Sequence, residues 1–401
     1  MRDALKRDNW PILAAGAALA LSVVSIAASQ ICLGAAILLT IRDWRRAQYP
    51  PGASLLLFFF AWTLLAAGLS QSPAAAYPQI RKFFVYLIVP CLAAAYRGPD
   101  SARYILAALG AGGTLSALWS LLQYAKKYSA AKAAGVNFTD AYIASRITGF
   151  MSHWMTFGGT MMAVFLIGAA YLLFSKPLRW RTPAVLTLIA LAIFLGWTRG
   201  IWIGTFAGTL YLLWSWRKMF VLAAPVLALA AVAVMPQPEK DRVMSIVQPR
   251  GDTDSNGHRK ALFRTGAAII KARPFLGVGP EQVERNFDKY APEDIPRPFP
   301  RAWWYGHLHN IYIQFAADRG IPAMLAIIGF FSWATWKIIK AAIPATGDRK
   351  WILHGIAAFL IGVLVTGVFE HNLADSEILM LALGLLTLGS SVAASRDSIP
   401  V

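Results

Sequence analysis

The chain is 401 residues long, 57% hydrophobic and only 14% charged, and carries a formal net charge of +18. That apolar excess excludes an ordinary soluble domain, and without short alternating segments the pattern is not that of an outer-membrane barrel, so an all-α polytopic membrane protein is predicted. No basic soluble region exists to hold nucleic acid, which is excluded as a partner.

A helix needs about 20 apolar residues to cross ~30 Å of hydrocarbon. Apolar runs predict about twelve spans, at 11–28, 29–41, 53–69, 83–96, 104–124, 152–174, 183–198, 200–215, 219–235, 321–340, 351–369 and 378–395. The first follows Met-Arg-Asp-Ala-Leu-Lys-Arg and runs into the second without a cleavage site, so it reads as an uncleaved span. Cys32 and Cys91 fall inside apolar runs and read as packing residues. With the N-terminus inside, the connections "RDWRRAQ", "RGPDSAR", "SKPLRWR", "WRK" and "ATGDRK" are cytoplasmic, short and basic, as the positive-inside rule requires. Both termini are then cytoplasmic. The expected organisation is spans one to nine over 1–235, a large outer loop with amphipathic helices over 236–320, and spans ten to twelve with a short tail over 321–401.

Cations on the outer side run against that rule. Arg81 begins the fourth span, Arg146 and His153 stand before the sixth, Arg199 separates the seventh from the eighth, and Glu370 and His371 follow the eleventh. Each alone is an ordinary interfacial residue; their one-sidedness points to an anionic ligand at the outer leaflet.

Three stretches carry the chemistry. "AIFLGWTRGIWIG" would continue a helix of about 50 Å over 183–215, so a tight turn at Thr198-Arg199-Gly200 is expected, with Arg199 at its outer mouth. There it either snorkels to headgroups or forks onto two phosphate oxygens. In "GHRKALFRTGAAIIKARPFLGVGPEQV" a helix over about 258–272 is stopped by Pro274 and followed by a Gly277–Gly279 turn. Arg259 and Arg264, five apart, do not share a face of it. In "WWYGHLHNIYIQFAADRG", His309 precedes Asn310 and a helix on which Tyr312 shares its face; an imidazole suits removal of a proton from a hydroxyl at neutral pH. Trp303, Trp304 and Tyr305 read as an aromatic belt or as a stacking platform for sugars. Asp252 and Asp254 have ligand-like spacing, but the stretch reads more readily as a polar turn, and no metal is expected.

Together, the "TRG" turn, the outer loop with an Arg helix and "PFLGVG", and "HN" followed by Gly320 make the chain resemble the O-antigen ligase family, which shares its core with O-antigen polymerases. Ala323 stands where the family pattern usually has Gly, Thr or Tyr. The resemblance implies a fold like the GT-C-type lipid-dependent glycosyltransferases, His309 as catalytic residue, and Arg199 with Arg264 as the essential arginines, Arg259 being the close competitor. It implies a glycan donor on undecaprenyl diphosphate, a lipid A–core acceptor, and no cofactor, metal or nucleotide. Arg146 and Arg81 join the expected diphosphate ligands, with Asn310, Tyr312 and His371 in support. The implied setting is the periplasmic face of a bacterial inner membrane, with direct displacement and inversion at the anomeric centre. A polymerase or a protein O-oligosaccharyltransferase would share the donor. A flippase would instead place polar residues at mid-membrane in broken helices.

Overall fold

The computed structural model describes residues 9–175, 181–222, 255–295 and 306–395, with 230, 232, 233 and 240 besides. Every regular element among them is helical. In chain order these are α1 (Trp10–Leu21), α2 (Ile26–Thr40), α3 (Ala53–Gly68), three short helices α4 (Tyr77–Arg81), α5 (Phe83–Tyr86) and α6 (Ile88–Ala95), then α7 (Pro99–Ala133), α8 (Phe138–Ala144), α9 (Trp154–Phe174), α10 (Arg181–Leu195) and α11 (Arg199–Trp216). The segment between α11 and the last three helices contributes α12 (Ser255–Ala272) and α13 (Val283–Tyr290), followed by α14 (Ile311–Ala342), α15 (Gly347–Thr366) and α16 (Ser376–Ala394).

Among the described residues, seven stretches are long and apolar enough to cross a membrane: 26–46, 73–95, 99–133, 154–174, 311–342, 347–366 and 376–394. Helices α1, α3 and α10 are apolar but shorter. The polytopic all-α expectation is therefore supported, with seven such stretches among the described residues against the twelve expected; α11, where a span was expected at 200–215, is not one of them. The segment expected at 219–235 lies largely outside the described residues, as do Asp252, Asp254 and the aromatic triplet 303–305. Two elements differ from expectation. The span expected at 104–124 is one 35-residue helix, α7. The span expected at 83–96 is a chain of short helices, α4 to α6, that begins with a 3-10 turn at Pro73–Ala76.

Helices α9, α15 and α16 bury residues around most of their circumference and so form the centre of the bundle. Small residues bring α11 against α15: a Cβ at Gly204 would run into the Gly362 carbonyl and Thr366, and one at Gly208 into the Ala358 carbonyl. This is the small-xxx-small contact by which membrane helices approach closely, and it fixes the first turn of α11 beside the loop that leaves α15.

Helix α14 is broken at Gly320, whose φ of 83° and ψ of 165° are unavailable to a residue with a side chain. The segment after α12 fills the gap. Val278 N–H donates to the Ala317 carbonyl (2.9 Å), Gly279 N–H to Asp318 (3.0 Å), and Ile321 N–H to Pro274 (2.8 Å). Trp62 Nε1 donates to the carbonyls of Phe275 and Arg319, both at 3.0 Å. The backbone groups freed by the break are thus satisfied within the protein, as low-dielectric surroundings demand. The "PFLGVG" stretch and Gly320, far apart in sequence, are two sides of one device. Outside the bundle, α12 and α13 share a separate small core of Leu262, Ile269, Val278, Val283, Phe287 and Leu308.

Candidate active site

The turn before α11 is tight because Trp197 adopts φ 48°. Its ring is buried edge-on against Tyr142 of α8 (centroids 5.0 Å apart), and the Tyr142 hydroxyl donates to the Leu195 carbonyl at 2.6 Å. Arg199 is therefore the first residue of α11 and is 7% exposed. The adjoining Gly200 packs on Phe369 and Glu370, and its carbonyl accepts from the Thr366 hydroxyl at 3.2 Å. Arg146 reaches the same turn, donating to the Trp197 carbonyl (3.4 Å) with its guanidinium 5.0 Å from the Trp154 ring. Burial pulls the pKa of Arg146 down, and the cations Arg199 and Arg259 add to the effect. Cationic charge is concentrated here.

Glu370 is the hub. It is 4% exposed; its Oε1 accepts from Arg259 Nη2 at 2.6 Å, and its Oε2 lies 3.2 Å from His309 Nδ1. A buried carboxylate is costly unless paired and hydrogen-bonded, and here it has both kinds of partner.

His309 is held in place by its neighbours in sequence. Its own φ is 47°, a left-handed conformation rarely adopted outside glycine and typical of strain kept at functional sites. Asn310 caps α14, its Oδ1 accepting from Ile313 N–H (2.9 Å) while its Nδ2 donates to the Val368 carbonyl (2.9 Å). Ile311 N–H donates to Gly367 (2.8 Å) and the Tyr312 hydroxyl to Leu364 (2.8 Å). These contacts lash the start of α14 to the end of α15, so that the imidazole and Glu370 must meet. The ring of His307 is 4.1 Å from that of His309 and 6.0 Å from that of His371. Burial pushes the His307 pKa down to about 3 and holds His371 well below its ordinary value, so both are neutral at physiological pH.

A cavity of about 340 Å³ opens among these groups, lined by His153, His307, Thr366, Glu370, His371 and Asp375, with Met162, Ile201 and Ile378 deeper in the bundle. Asp375 is oriented by the Thr156 hydroxyl at 2.7 Å, and burial raises its pKa. His153 caps α9 through Nδ1, which accepts from Met155 N–H at 3.2 Å.

Of the residues expected from sequence, Arg146, Arg199, Arg259, His309, Asn310, Tyr312 and His371 come together. Arg264 and Arg81 do not. Arg264 lies on the far face of α12 and pairs with Asp294 at 2.5 Å, with 44% of its side chain exposed. Arg81 ends α4 on an exposed position. Its neighbour Lys82 lines a small pocket with Gln79, Phe315, Arg319 and His371. In that pocket Arg319 donates to Asp318 (3.3 Å) and Gln79 (3.2 Å), both members of the ion pair being 2% exposed. Sequence reasoning passed over this pair. Its signal was two ionisable residues adjoining a glycine within an apolar stretch, "ADRG".

Residues 183–328 match the family model for O-antigen ligase. The stretch runs from α10 into α14 and includes Arg199, Arg259, Arg264 and His309, whereas Arg146 and Glu370 lie outside it. No curated protein matches the chain.

Proposed function

We propose that this member of the O-antigen ligase family transfers a glycan from undecaprenyl diphosphate to a sugar hydroxyl of lipid A–core, at the periplasmic face of a bacterial inner membrane, in lipopolysaccharide biosynthesis. One observation carries the reading: a single buried carboxylate, Glu370, holds Arg259 on one oxygen and His309 on the other, beside Arg199 and Arg146.

Glu370 engages Nδ1, so Nε2 of His309 is the nitrogen that faces the acceptor hydroxyl. As the acceptor oxygen bonds to the anomeric carbon, its proton passes to Nε2 and Glu370 stabilises the imidazolium. The bond from the anomeric carbon to the diphosphate breaks on the opposite face, inverting the centre. The departing diphosphate takes up negative charge, which Arg199, Arg146 and Arg259 bind more strongly as it develops. Arg259 keeps further N–H donors for phosphate oxygens while tethered to Glu370. Guanidinium groups do this work without a metal. Both substrates are lipids of one leaflet, and the cavity's apolar floor at Met162, Ile201 and Ile378 suits the first isoprene units of the donor. Twelve spans, cytoplasmic termini and a GT-C-like arrangement complete the reading.

The test is reconstitution of purified protein with donor lipid alone and then with lipid A–core. Transfer only in the second mixture supports a ligase; a ladder of longer lipid-linked chains in the first identifies a polymerase. Arg259→Ala is expected to lower transfer by about 10²-fold, the scale of losing one positioned donor. Arg264→Ala should stay within roughly twofold, because an exposed ion pair contributes little. The reverse order in the same assay would move the diphosphate site to the other face of α12.

A further inference from the structure

The end of the bundle opposite the candidate site holds a second cavity, of about 640 Å³, between α7, α9 and α10. Its walls are rows of apolar side chains at helical spacing, among them Leu106 and Leu109 on α7, Val164 and Ile167 on α9, and Leu186 and Ile189 on α10. Gly110 leaves space on its floor, since a Cβ there would meet nothing within 4 Å. From Arg103 to Thr114 the groove follows α7 for about 16 Å at 1.5 Å per residue, close to the depth of one leaflet of a ~30 Å hydrocarbon core.

The mouth is polar and cationic. Arg103, Arg181 and Asp348 line it, and Arg103 also lies 3.6 Å from Asp100. Both oxygens of Asp348 are engaged, one by Arg103 at 3.0 Å and the other by Trp351 Nε1 at 2.9 Å. The first turns of α7, α10 and α15 frame the opening, and their dipoles add positive potential where an anion would lie. Tyr104 and Tyr171, at the same level, have the amphipathic character of headgroup-level residues.

We propose that this groove binds one anionic glycerophospholipid of the leaflet opposite the candidate site, its phosphate between Arg103 and Arg181 and one acyl chain along α7 and α10. An apolar trough as deep as a leaflet selects a chain, and a cationic mouth selects its headgroup; basic pockets between membrane helices recognise acidic lipids by this logic. The bound chain would act as a wedge between α10 and α7. Because α10 leads directly into the Trp197–Arg199 turn, its seating bears on the hairpin that presents Arg199.

Native mass spectrometry of the detergent-purified full chain, titrated with dioleoylphosphatidylglycerol or dioleoylphosphatidylcholine, tests this. A one-to-one adduct favouring phosphatidylglycerol is expected, weakened by about tenfold in the Arg103→Gln/Arg181→Gln double variant. Gly110→Phe, which fills the groove, should remove the adduct for both lipids. Equal binding of the two lipids, as a neutral lipid site would give, overturns the proposal. So does an adduct that survives Gly110→Phe, or no adduct at all. Glycan transfer is not the readout, so the result is independent of the enzymatic reading.

Discussion

His309→Ala is expected to lower glycan transfer by on the order of 10²–10⁴-fold, the range of a positioned general base, while binding of the donor lipid changes little. The asymmetry follows from geometry. The imidazole is tied through Nδ1 to Glu370, leaving Nε2 for the acceptor, whereas the diphosphate is met by Arg146, Arg199 and Arg259. Removing the ring leaves those guanidinium groups and the Asn310 cap in place. Single-turnover transfer and donor-lipid binding, measured on the same reconstituted protein, separate the two effects. A fall in donor affinity matching the fall in turnover would make His309 a phosphate ligand.

The second large effect is structural. Gly320→Ala is expected to cost on the order of 4 kcal/mol, at the far end of what single substitutions do, and so to reduce the yield of monodisperse protein sharply. A Cβ at this position would overlap the carbonyl oxygen of Phe275, and the residue's φ of 83° already disfavours any side chain. The obstacle is backbone. Trimming the neighbour, in Gly320→Ala/Phe275→Ala, should therefore recover nothing, whereas a side-chain clash would be relieved. Thermal midpoints and size-exclusion profiles in detergent report both variants, and recovery by the double substitution would refute the account of the break.

Much of this was legible in the sequence because it rests on local rules. An apolar segment too long for one crossing, interrupted at "TRG", had to turn, and Arg199 stands at the turn. Pro274 ended α12, and two glycines turned the chain after it. What escaped depends on contacts between distant segments. A five-residue spacing shows that Arg259 and Arg264 face different ways, yet not which way faces Glu370; the choice is made by the docking of α12 on its own small core. Glu370 looked like an interfacial acid until α15 delivered it beneath His309. Nor could spacing alone reveal that "PFLGVG" and Gly320 are partners, since the hydrogen bonds joining them run between backbone groups of two separate stretches.

The small core under α12 and α13 has one further implication. It closes on Leu308 and Ala317, which bracket His309 in the chain, while Asn310 and Tyr312 between them are roped to α15. The imidazole thus sits on a seam between this small core and the helix bundle, and each supplies half of its surroundings. A disturbance that loosened only the small core would remove half of that setting with the helix bundle intact, so heat inactivation is expected to precede global unfolding.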